Sequence, residues 1–282
     1  MFYKTILVQV TDSKYLNARV EAAATIAARE NAHLIAAGLT GVSKFINETL
    51  AVSMNGAPVL DLSSLELLRQ RTDNALKQAE NIALRIGVQS FEKRVIDDYG
   101  VEALSVPARY CDLLILGQPG PDEEAAFVDS DFHEQVAVNS SEPTLIMPYA
   151  RAYGNIGQRV LIAWNASRQA KRAVHYALPL LQRAKQVLAV IFNPAPDSSG
   201  LYGIPPGTDL KTYLARHGAD VQVTTPSTGG DVGEALLSLA VNDGFDLLVM
   251  GCYSHSRFRE IVLGGTTRTV LKSMTVPVLM SH

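Results

Sequence analysis

Between the apolar stretch at residues 245–250 and the helically periodic run at 267–274 lie Gly251, Ser254, His255, Arg257, Arg259, Gly264, Gly265, Thr266 and Thr267. Glycines let backbone N–H groups approach an anion closely, and amides at a helix start point their donors outward. Thr266 and Thr267 add hydroxyls there, and Arg257, Arg259 and Arg268 add positive charge. Together these groups could hold phosphate. A glycine turn with threonine capping uses the same residues and needs no ligand. His255 could touch phosphate or move a proton, or simply cap or face solvent, since no carboxylate stands at a telling spacing.

A second glycine group, Gly229, Gly230, Asp231 and Glu234, resembles a phosphate loop but also reads as an ordinary helix start with Asp231 as N-cap. Ala163, Trp164 and Asn165 end an apolar run and are expected to face the Gly251 loop at the switch point between strands. Asn165 could bond a base or sugar. Trp164, the one tryptophan, is expected in the core, with base stacking as the other use.

The elements that must position these residues occur twice. Residues 111–117 match 245–251, and Pro143 to Met147 matches Pro277 to Ser281 with the same distance from glycine to proline. Residues 6–13 match 160–167 as a strand entering a helix. An internal duplication follows. In the first copy, strands are predicted at 5–10, 33–39, 91–96 and 113–116, with a last strand ending at Met147, and helices at 16–30, 62–86 and 101–108. In the second, strands are predicted near 160–164, 187–192, 221–225, 247–250 and 278–280. Short apolar strands alternating with helices imply an α/β fold: two tandem doubly wound, Rossmann-like domains, 1–150 and 151–282, each with a five-stranded, mostly parallel sheet. Residues 151–158, with Gly154 and Gly157, read as the linker.

Two insertions interrupt the pattern, at 40–58 and 193–206, and each follows a second strand. As loops at the carboxyl end of the sheet they could cover a ligand. The first is apolar, with Phe45, Ile46, Leu50, Val52 and Met54, as suits a ligand wall or a subunit contact.

The chain is 282 residues long and 47% hydrophobic, enough for two cores. A net charge of -3 gives no global pull toward nucleic acid or an anionic membrane. Two cysteines, Cys111 and Cys252, argue against a disulfide framework and for a cytoplasmic setting, with Cys252 read as a buried side chain ahead of a redox thiol. Neither a leader-like start nor a membrane-spanning apolar run is visible. The segment Asp122, Glu123, Glu124, Asp129, Ser130 and Asp131 stands where the second copy has its glycines and arginines, so the first copy is not expected to bind ATP.

On these residues the chain resembles two fused universal stress protein domains, which belong to the adenine nucleotide alpha hydrolase-like group of folds. That family's pattern is glycine, two residues, glycine, nine residues, glycine, then serine or threonine. Gly251 and Gly264 fit it, Ser254 replaces the second glycine, and Gly265 takes the hydroxyl position ahead of Thr266 and Thr267. Asn165 stands at the family's acidic position, and Val190 near the residue that lines adenine. The resemblance implies a stress-response protein that binds ATP or AMP, with or without Mg, in its second half and changes its partner surface on binding. It also implies pairing through the final strands as an intramolecular pseudo-dimer, with room for a homodimer. A ligand-free scaffold and a slow ATP hydrolase are the alternatives. No catalytic residue and no metal-ligand cluster stands out in the sequence.

Overall fold

The computed structural model describes residues 3–52, 62–98, 100–120, 131–149, 155–194, 207–252 and 265–282. Its chain forms two compact units, Tyr3–Glu142 and, with the first two residues, Pro143–His282.

The first unit starts with β1 (Thr5–Val10), α1 (Leu16–Glu30) and β2 (His33–Leu39), with bounds as the sequence predicts. Ile6, Leu7 and Val8 are fully buried, as a strand covered on both faces requires. Asn31 ends α1 in the left-handed conformation, φ 51°, and returns its N–H to Ala27 and Ala28. Then come α2 (Val42–Val52), α3 (Leu62–Ile86), β3 (Ser90–Ile96), α4 (Glu102–Ala108), β4 (Leu113–Gly117) and α5 (Phe132–Asn139). The strands lie in the order β3-β2-β1-β4, all parallel.

The first insertion is not a loop throughout. Its residues Val42–Val52 form α2, anchored by Asp97: Thr40 Oγ1 donates to Asp97 Oδ1 at 2.9 Å, and the Ser43 amide and hydroxyl both donate to the Asp97 carbonyl. Met54 lies outside the described residues.

The second unit contains β5 (Thr144–Met147), β6 (Arg159–Ala163), α6 (Arg168–Tyr176), α7 (Leu178–Leu181), β7 (Gln186–Val190), α8 (Thr208–Arg216), β8 (Gln222–Thr224), α9 (Val232–Asn242), β9 (Leu247–Gly251), α10 (Gly265–Ser273) and β10 (Val278–Ser281). Its strand order is β5-β10-β9-β6-β7-β8, parallel except for β5, which runs antiparallel to β10. The last strands of the two repeats therefore pair with each other, and the first repeat's fifth strand packs with the second half.

One device fixes the first strand of each repeat. Asp112 accepts the Lys4 and Thr5 amides at 2.7 and 2.9 Å. Asp246, at the matching position, accepts those of Gly157, Gln158 and Arg159 at 2.8 to 3.2 Å. Gly157 and Gln158, expected in a linker, are thus tied into the second unit.

Candidate functional site

The switch point of the second unit lies where the chain, having built β7 and β8 on one side of β6, returns to build β9 on the other. At that place Ala163 ends β6, in register with Val190 on β7 and Met250 on β9. Gly251 extends one residue further, opposite Ser281. Because β9 and β10 are parallel, the intervening α10 must open at this carboxyl edge. Its first residue is Gly265, two positions earlier than the sequence suggests.

Apart from Trp164, the predicted site residues fall into three groups. Ala163, Val190, Gly251 and Asn165 are brought together at the strand ends. Val190 is 1% exposed, and its carbonyl accepts the Trp164 N–H at 3.0 Å. Asn165 is exposed, and its Oδ1 accepts the Ser167 N–H at 3.1 Å. This turn occupies the amide oxygen, and among the described residues the Asn165 Nδ2 group donates to none. Ser167 in turn caps α6, accepting from the Ala170 N–H at 3.1 Å.

Gly265, Thr266 and Thr267 form the first turn of α10. Gly265 is exposed, and among the described residues a Cβ there would meet nothing within 4 Å. Thr266 is half-buried and Thr267 buried, so Gly265 and Thr266 are the accessible part of this turn. Ser254, His255, Arg257 and Gly264, with Arg259, lie outside the described residues.

Trp164 departs from expectation. It is half-buried instead of in the core, because β6 ends at Ala163 and Trp164 begins the turn that Asn165 continues.

Gly251 has a cause independent of any ligand. A Cβ there would stand 2.5 Å from the Ala170 nitrogen and 2.7 Å from the Gln169 carbonyl carbon, both backbone atoms of the first turn of α6. In the Gly229–Gly230 segment, Asp231 caps α9 by accepting the Glu234 N–H at 3.0 Å, as predicted. Close packing of α9 on α10 excludes a side chain at Gly233, where a Cβ would meet Thr269 at 2.8 Å.

The first unit fills the corresponding place with its own side chains. A Cβ on Gly117 would collide with the guanidinium of buried Arg19, whose Nη2 donates to Thr11 Oγ1 at 2.7 Å. Gln9 Oε1 accepts the Gly117 N–H at 3.2 Å, and Tyr15 closes over Gly120. In the aligned second repeat the positions of Gln9 and Arg19 hold Ala163 and Ala173.

Both cysteines are buried, and burial pushes the Cys111 thiol up to about 11 and the Cys252 thiol to about 12. Neither forms a reactive thiolate near neutral pH. Among the described residues, no cluster of three His, Cys, Asp or Glu could hold a metal ion, and no helix is long and apolar enough to cross a membrane.

Residues 157–282 match the universal stress protein family. The second half is a universal stress protein domain. A universal stress protein of Synechocystis is 25% identical over 225 residues, covering 78% of this chain and 75% of that protein. Among solved structures, a universal stress protein from Archaeoglobus fulgidus covers 98% of this chain and 94% of its own at 16% identity, with a TM-score of 0.71. A functionally unknown protein from Pseudomonas aeruginosa covers 98% and 92% at 14% identity, with a TM-score of 0.55. At these identities the structural likeness shows the fold.

Sequence reasoning missed Asn193 in the stress protein domain. It adopts φ 47°, its Oδ1 accepts the Thr228 N–H at 2.8 Å and its N–H reaches the Pro226 carbonyl at 3.1 Å, tying the loop after β7 to the loop after β8. An asparagine directly after an apolar strand was the available signal. The Asp112 and Asp246 clamps were also legible, as an aspartate repeated at one place in both copies.

Proposed function

We propose that the second half binds an adenine nucleotide, ATP or AMP, and that the protein acts as a nucleotide-responsive binding protein of the stress response. The observation that carries this is the first turn of α10, with Gly265 exposed and no described residue within 4 Å of a Cβ placed there, at the edge where Ala163, Val190 and Asn165 converge. Amides at a helix start favour phosphate oxygens, and the Asn165 Nδ2 group offers a donor to base or sugar. Trp164, Ser254, His255, Arg257, Gly264, Thr266 and Thr267 complete the proposed set. The first half is its structural partner: Arg19, Gln9 and Tyr15 occupy its strand ends, and the carboxylates near its α5 repel polyphosphate.

Calorimetric titration with ATP and AMP, alongside Trp164 fluorescence, tests the proposal against the Gly265→Asp variant. Among the described residues nothing crowds a Cβ at Gly265, and an acid at a helix start is compatible with the helix, so the variant should fold and lose binding. A second reading, a ligand-free scaffold, is favoured by the contact of Gly251 with α6, which explains that glycine without nucleotide. Absence of saturable binding to the wild type by both methods would leave the scaffold.

A further inference from the structure

The two halves carry opposite charge. Residues 1–142 hold 12 Lys and Arg against 20 Asp and Glu, a net of -8, whereas residues 143–282 hold 13 against 8, a net of +5. The first half also neutralises many of its cations internally. Arg69 pairs with Asp97, Lys77 with Asp73, Arg85 with Glu21, Lys93 with Glu80 and Arg94 with Glu92. In the second half Arg168, Lys171, Lys185, Lys211 and Arg216 are exposed, and no ion pair joins any of them to a carboxylate among the described residues.

Several of these cations lie along one seam. Arg168, Lys171 and His175 follow helical spacing along the side of α6 opposite its buried Ala170, Ala173 and Val174. Helix α8 is held alongside through Tyr213. The His175 Nδ1 lies 3.0 Å from the Tyr213 hydroxyl, the Lys171 ammonium 3.9 Å above the Tyr213 ring, and the His217 ring 4.5 Å from it. Arg216 follows Tyr213 by three residues, the spacing of neighbours on one helix face, so α8 adds a cation beside the strip that α6 begins.

We propose that this basic strip docks the acidic half of a second copy of this chain, in a head-to-tail contact. Charge complementarity selects that occupant. A duplex or an anionic membrane would attract the strip while repelling a molecule of net charge -3 whose other half is -8. A second copy brings a half whose net charge, -8, is opposite in sign to the strip. The contact joins a basic surface to an acidic one, so each copy keeps one of the two for a further neighbour and the contact can repeat.

Sedimentation velocity over a concentration series at about 20 mM and about 500 mM salt tests this, since screening weakens contacts between exposed charges. The wild type should associate at low salt and dissociate at high salt. Arg168→Glu with Arg216→Glu spares the Lys171–Tyr213 contact and should weaken self-association at least tenfold. Labelled double variant should still co-sediment with wild type, because its acidic half is intact and can receive the wild-type strip; failure of that co-sedimentation would overturn the proposal. Arg168→Gln with Arg216→Gln should give an intermediate loss and guards against misfolding of the reversal. A sedimentation coefficient independent of concentration at low salt would overturn the proposal, as would association unaffected by the substitutions. Salt-sensitive capture by phosphatidylserine vesicles or single-stranded DNA without self-association would overturn it in favour of that other anion.

Discussion

The two halves use one scaffold to opposite ends. Each starts its first strand under an aspartate clamp and ends its fourth at a glycine, Gly117 or Gly251. In the first half that glycine makes room for a side chain, Arg19; in the second it makes room for the backbone of a helix. The first half fills its strand ends with Arg19, Gln9 and Tyr15, whereas the second places alanines at the positions of Gln9 and Arg19 and leaves Gly265 exposed. Duplication therefore preserved the frame, while residues on the frame differ in what they place at the strand ends among the described residues.

The strongest way to break the comparison is an alanine at each glycine. Gly251→Ala must push the α6 backbone aside and should cost about 3 kcal/mol, whereas Gly117→Ala meets the far end of a side chain and should cost about 1 kcal/mol. Urea unfolding read by Trp164, the sole tryptophan and a reporter of the second half, should shift clearly for Gly251→Ala; equal shifts in far-UV circular dichroism for the two variants would refute the distinction. Next, Asp246→Ala strips the acceptor from three amides and should cost about 2.5 kcal/mol, against about 1.5 kcal/mol for Asp112→Ala, which strips two. The order of their denaturation midpoints checks this.

A third difference concerns acid. His133 on α5 occupies the position of Thr267 on α10, and burial lowers its pKa from 6.5 to about 4. The imidazole is neutral when folded, so the unfolded chain takes up its proton first as pH falls. The first half thus loses stability as pH drops from 6.5 through about 4, and His133 contributes no pH dependence above that window. Relative to neutral pH, His133→Leu should recover about 2 kcal/mol at pH 5, measured by urea titration at both pH values. An unchanged pH profile would remove His133 as the source.

Much of the fold was legible because its signals are local. The bounds of α1 and α3 follow from apolar spacing, with Asn31 closing the first of them. Helix α2 was missed although Val42, Phe45, Ile46 and Thr49 have helical spacing, because its anchor, Asp97, lies far along the chain. The same distance hid the role of Gly251, whose neighbours Gln169 and Ala170 belong to another helix. Of the candidate site, the strand-end residues and the first turn of α10 were legible from their pattern. The half-buried setting of Trp164 was not, since it depends on where β6 stops. The basic strip was invisible to a net charge of -3, which averages two halves of opposite sign.

The antiparallel pairing of Thr144 with Met280 also bears on how the chain is made. Synthesis delivers β5 more than a hundred residues before β10, so the edge of β5 that β10 covers must wait with its backbone donors and acceptors unmatched. Until then it is a sticky edge, open to strands of neighbouring nascent chains. With Thr144, Leu145, Ile146 and Met147 all buried in the finished fold, β5 is an apolar segment that a holding chaperone could shield until β10 emerges.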